Sequence, residues 1–158
     1  MRVFLLLFST LILDQASKLI VRNTMVLGQS IPILGNVLRF TYIENRGLAF
    51  GINVPNNVPF TILSIIASLV IVFYLITHWN ESMRLKSSLA LILGGAFGNL
   101  IDRIVHHQVA DFIDMGIGDL RWPVYNIADS VVVIGMAFLI YHVMTSEQKK
   151  EKLQEGKV

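Results

Sequence analysis

The chain contains no cysteine. Disulfides, thiolate metal ligands and a cysteine nucleophile are thereby excluded. Charge is also scarce. Asp, Glu, Lys and Arg make up 15% of the 158 residues, against about 25% in an ordinary soluble domain. A soluble globule needs more charge than that to cover its surface. A disordered chain is excluded from the other direction, because 54% of the residues are hydrophobic. The formal net charge is only +2 and the basic residues form no stripe, so no nucleic acid is expected as a partner.

Long apolar runs fill the space that charge leaves. No Asp, Glu, Lys or Arg occurs from Gly47 to Asn80, from Ser87 to Ile101 or from Ser130 to Ser146. Val3 to Leu13 is free of charge as well. A bilayer core about 30 Å thick takes roughly 20 residues of helix. Four such helices fit, at about 3–21, 57–79, 87–105 and 126–145. The expected fold is therefore mainly α: one membrane-embedded domain over residues 1–158 with four transmembrane helices. Met1-Arg2 and the apolar run after it have the form of a signal peptide. No small-x-small cleavage site follows, so the segment is read as a retained first helix.

Lys and Arg in the flanks orient the helices. Arg2, Arg84, Lys86, Lys149, Lys150, Lys152 and Lys157 fall on one side. That side, with both termini and the 147–158 tail, is expected to be cytoplasmic. Segments 22–56 and 106–125 then lie outside the cytoplasm. Asn36 to Ile43 alternates in part between apolar and polar residues, which predicts one or two short strands. A small extracytoplasmic sheet resting on the membrane is the expected platform. Gly47 and Gly51 suggest that segment 22–56 moves as a lid.

Ionisable residues inside membrane helices are costly and mark functional sites by default. Here they all converge on the extracytoplasmic end, Asp14 and Lys18, then Asp102 and Arg103, then Asp129, with the amides of Asn99 and Asn126 beside them. A channel or transporter would spread them across several depths. Asp14 and Lys18 are four residues apart on one helix face, which also suits a purely structural ion pair. Gly94, Gly95 and Gly98 suit close helix packing. His106 and His107 are adjacent and so point apart on a regular element, which argues for an exposed pair and against a metal site. No cofactor is expected.

Two aspartates brought together cannot both ionise cheaply. One keeps a proton and polarises a carbonyl; the other stays charged and activates water. Asp129 faces the acids of the second outer segment, Asp111, Asp114 and Asp119. Spacing leaves open whether Asp111 or Asp114 is its partner. Asp129 also has a capping role available, as the acid three residues after Asn126 at a helix start. A non-catalytic anchor protein would tolerate Asn at these positions.

Five segments then resemble one family in order and spacing over nearly the whole chain. They are Asp14-Gln15-Ala16-Ser17-Lys18, Asn45-Arg46-Gly47-Leu48-Ala49-Phe50, Gly94 to Arg103, Val109 to Asp114, and Tyr125-Asn126-Ile127-Ala128-Asp129. Together they resemble the bacterial lipoprotein signal peptidases, with Tyr125 where that family often has Phe. The resemblance implies an aspartic endopeptidase of the bacterial plasma membrane. It implies cleavage of membrane-bound prolipoproteins before a diacylglyceryl-modified cysteine. It selects Asp111 and Asp129 as the catalytic pair. It places Asn45, Asn99, Arg103 and Asn126 along the substrate groove, with Asp14, Lys18 and Asp102 in support. Membrane lipid is an expected partner, and the chain is expected to act as a monomer. The dipole at the start of the fourth helix is expected to favour charge on Asp129, leaving the shared proton on Asp111.

Overall fold

The computed structural model describes residues 1–47 and 58–155, with side chains described through 146. Four helices are long and apolar enough to cross a membrane. They are α1 (Arg2–Thr24), α2 (Val58–Thr77), α3 (Met83–Val105) and α4 (Ile127–Glu155). The 20 residues of α2 rise about 30 Å, one bilayer core. α4 is longer: its apolar stretch ends at Ser146 and the helix continues to Glu155. The fold is that of a multi-pass membrane protein.

α3 sits between α1 and α4, and its glycines explain how closely the three approach. A Cβ on Gly94 would lie 3.0 Å from the Thr10 side chain of α1. One on Gly95 would run into the Ala128 carbonyl of α4, and one on Gly98 into the Asp14 carboxylate. Without side chains at these positions, the backbones meet directly. At one end of the bundle Val3, Leu75, Leu85, Leu89 and Ala90 form a buried apolar cluster. Phe8, Ile12, Ile66, Leu69, Phe73, Val133 and Phe138 are exposed on the helices.

The other end carries a four-stranded antiparallel sheet in the order β1-β2-β3-β4. Its strands are β1 (Ser30–Leu34), β2 (Leu38–Asn45), β3 (Val109–Ile117) and β4 (Leu120–Arg121). The expected strand at 36–43 is β2, and a hairpin partner precedes it. β3 was not expected, because its acids read as an outer loop. Val21, Tyr42, Ala110 and Phe112 form a second buried cluster where the sheet meets α1. Residues 30–34 and 38–45 of the segment expected to act as a lid are strands of this sheet. Leu48, Ala49, Phe50, Gly51 and Pro55 lie outside the described residues, as does 156–158 at the end of the tail. His107 turns the chain from α3 into β3 with φ of 60°, and both it and His106 are exposed.

Candidate active site

Asp111 comes from β3 and Asp129 from the first turn of α4. Asn126 joins them. As N-cap it accepts a hydrogen bond on Oδ1 from the Asp129 backbone N–H at 2.9 Å, and its own N–H donates to Asp129 Oδ2 at 3.3 Å. This reciprocal pair is a capping box. The same Asn126 donates its side-chain amide to Asp111 Oδ1 at 2.6 Å. Capping and site-building are thus one arrangement. Asn45 Nδ2 donates to the other Asp111 oxygen at 3.0 Å, while its Oδ1 accepts the Gly47 N–H at 2.9 Å. That second bond fixes which way the Asn45 amide points.

A buried ionic layer lies behind the pair. Lys18 is fully buried, and its ammonium reaches Asp14 at 2.8 Å, Asp102 at 3.1 Å and Asn99 Oδ1 at 2.8 Å. Three donors thus meet three acceptors. Asn99 passes the order forward, donating Nδ2 to Asp129 Oδ1 at 2.7 Å. Asp14 Oδ1 accepts the Ala128 N–H of α4 at 2.9 Å, so a carboxylate of α1 also caps α4. Asp102 Oδ2 accepts the Ala110 N–H of β3 at 3.3 Å. One ion-pair network therefore ties α1, α3, β3 and α4 together at the level of the two aspartates.

Asp114 lies elsewhere. Its carboxylate accepts from Thr41 Oγ1 at 2.7 Å and from Arg121 Nε at 2.7 Å, and Arg121 also reaches the Asn36 carbonyl. It is a sheet clasp. Asp119 is exposed. Arg103 extends from α3 to Ser64 of α2 at 3.3 Å, and its charge faces Asp129, Asp111 and Asp102. Sequence reasoning missed Arg22, which pairs with Asp102 at 3.2 Å and faces Glu44 at 3.8 Å. The signal was there: Asp14, Lys18 and Arg22 follow at four-residue steps along one helix face. Among the described residues no group of three His, Asp or Glu side chains is placed to hold a metal ion.

Electrostatics separates the acids. Burial, and then the charge of Asp129, pushes the Asp111 carboxyl up from its ordinary 3.8 to about 7, against the hydrogen bonds from Asn45 and Asn126. Burial works to raise Asp114 as well. There the bonds from Thr41 and Arg121 and the charges of Arg121 and Arg39 win, and hold it below its ordinary value. Burial and the bond to Glu44 push the Tyr42 phenol up to about 12, so it stays a donor. Asp111, Asn126, Lys18, Asp14 and Asp102 are buried, while Asp129 and Asn45 keep partial exposure. Two carboxyls, one inclined to hold a proton near neutral pH, suit acid–base chemistry on a polar bond.

Residues 6–145 match the family model for signal peptidase (SPase) II. A lipoprotein signal peptidase of Halothermothrix orenii is 40% identical over 147 residues, covering 92% of this chain and 97% of the relative. Another, from Syntrophus aciditrophicus, is 39% identical over 145 residues, covering 89% and 90%. A solved bacterial membrane enzyme superimposes with a TM-score of 0.81 at 29% identity, covering 94% of this chain and 91% of its own. A second does so with a TM-score of 0.75 at 30% identity, covering 90% and 92%. With its match running through all four helices and the sheet, this chain belongs to the signal peptidase II family of lipoprotein signal peptidases.

Proposed function

We propose that Asp111 and Asp129 form the catalytic dyad of an aspartic endopeptidase that cleaves prolipoproteins immediately before their diacylglyceryl-modified cysteine. The observation that carries this reading is the double grip of Asn126 on both carboxyls. The Asp129 carboxylate takes a proton from water, whose oxygen attacks the scissile carbonyl carbon. Asp111 gives its proton to the carbonyl oxygen. As the tetrahedral intermediate collapses, Asp129 passes its proton to the departing nitrogen, Asp111 takes back the hydroxyl proton, and the C–N bond breaks. The products are the signal-peptide carboxylate and the free amine of the lipidated cysteine. Asn45 and Arg103 line the groove, and the buried Asn99 and Asn126, also expected there, lie behind it. Asn99 and Asn126 orient the carboxyls, and Arg103 and the partly exposed Asn45 face the peptide backbone, which finds few donors at a membrane interface.

The substrate's lipid and apolar signal helix confine it to the bilayer, so the dyad belongs at the interface. The flanking Lys and Arg support cytoplasmic termini and an extracytoplasmic sheet. In this reading the enzyme acts as a monomer. The test is incubation of purified protein in detergent with a precursor peptide, with and without diacylglyceryl on its cysteine, and mass mapping of the products. Cleavage before the lipidated cysteine alone is expected. Cleavage at another bond, or equal cleavage of the unlipidated peptide, contradicts the reading.

A further inference from the structure

Lys18 touches neither aspartate of the dyad, yet it is fully buried and all three of its donors are committed. The Asn99 amide has two ends and two possible orientations. Its Oδ1 is held by two donors, Lys18 Nζ at 2.8 Å and Asn126 Nδ2 at 3.1 Å. Only in that orientation does Nδ2 face Asp129. We propose that Lys18 is a positioning residue for catalysis: its ammonium fixes the Asn99 amide so that an N–H is always presented to Asp129, and its charge sets the pH range over which the dyad holds a single proton. This rests on the dyad reading above.

The charges around the pair come from every packed element. α1 supplies Asp14, Lys18 and Arg22; β2 supplies Glu44; α3 supplies Asp102 and Arg103. Arg22 is turned to Glu44 and Asp102, and Arg103 reaches to Ser64. Lys18 is joined to the dyad through one intervening amide, that of Asn99. A structural ion pair alone requires only Asp14 and Asp102 as partners. It does not require the third bond to Asn99, and through that bond the ammonium is coupled to the reacting carboxyl.

Lys18→Met removes both orientation and charge. Because it leaves Asp14 and Asp102 buried with less compensation, it is paired with the charge-balanced double variant Asp14→Asn/Lys18→Met. In the double variant kcat falls about 10- to 100-fold, the range seen when groups behind a reactive site are lost, while KM stays within about twofold. In Lys18→Met itself the pH–rate profile moves toward higher pH by about one unit, because a nearby cation favours a carboxylate over its acid; in the double variant the simultaneous loss of the Asp14 charge opposes that shift. A folded double variant with the wild-type kcat, or a folded Lys18→Met protein with the wild-type profile, would reduce Lys18 to an ion-pair member and overturn the proposal. A second measurement needs no variant. In wild-type protein labelled with 15N-lysine, the Lys18 ammonium resonance is expected to inflect at the pH where activity does, and a resonance flat across that range overturns the proposal. Failure of the dyad reading looks different: Asp111→Asn or Asp129→Asn would then remain active.

Discussion

At the scale of single residues, the difference between Asp111 and Asp114 is one of partners. Three positions apart on β3, one is gripped by two amides beside a second acid, and the other is neutralised by Arg121. Asp111→Asn is expected to lower kcat/KM about 100- to 10,000-fold, the range of a lost acid or base. Asp114→Asn is expected to keep the wild-type rate and to lose about 1–3 kcal/mol of stability, read as a lower melting temperature in detergent. That loss shrinks as pH falls through the low Asp114 value, because a carboxyl held below its ordinary value stabilises the fold only while ionised. Asp111 has the opposite sign. Its carboxyl is raised from 3.8 to about 7, so its favourable contribution is present below the lower value and is lost as pH rises through the higher one. The melting temperature of Asp111→Asn, relative to wild type, should therefore move in the variant's favour between about pH 4 and pH 7. The wild-type rate should fall above about pH 7, as Asp111 gives up its proton. Sequence spacing left the choice between these acids open for a physical reason. Which strand residue meets Asn126 depends on pairing with β2, whose register shifts between Phe40 and Ile43, and no local pattern reports that shift.

At the scale of elements, the helices were legible and β3 was not. A membrane helix announces itself by a long run without charge. β3 has Asp111 and Asp114 among its apolar residues, and from Val109 to Asp114 residues on both faces are buried or half-buried, so the period-two alternation of a half-exposed strand is missing there. Its strand character comes from tertiary pairing with β2 and from the Asp102 carboxylate that receives the Ala110 N–H. The glycines of α3 were legible as packing residues, but not as residues that set the site. Gly95 and Gly135 both lie in the α3–α4 contact. A Cβ on Gly95 would strike the Ala128 carbonyl next to Asp129, while one on Gly135 would lie 2.9 Å from the Ser88 carbonyl and 2.8 Å from Ile92. Both Gly→Ala variants should cost about 1–3 kcal/mol of stability by overpacking. Only Gly95→Ala should also depress kcat, because the first turn of α4 must move. Equal kcat values in two folded variants would show that the position of α4 is not critical.

At the scale of the whole molecule, the chain concentrates its costly charges at one end of an apolar bundle. The acids and cations partner one another across α1, α3, α4 and β3, and much of the remaining helical surface is exposed and apolar. This concentration was visible in the sequence, because Asp14, Lys18, Asp102, Asn126 and Asp129 all fall at matching ends of their helices. The wiring was not visible. That Asp14 caps α4 and that Lys18 holds Asn99 are contacts between residues more than 80 positions apart. The absence of cysteine makes the proposed orientation easy to test. With single variants in intact cells, a membrane-impermeant maleimide should label Asp119→Cys from outside and leave Glu81→Cys unlabelled until the membrane is opened. The reverse pattern would invert the molecule.

The most direct measurement is the initial rate of cleavage of a diacylglyceryl precursor peptide by wild type, Asp111→Asn, Asp129→Asn and Asp114→Asn, side by side, with and without a chelator. The account predicts chelator-resistant cleavage by wild type and Asp114→Asn, and at least about a hundredfold loss in each of the other two variants. A folded Asp111→Asn or Asp129→Asn protein that cleaves at the wild-type rate would contradict it.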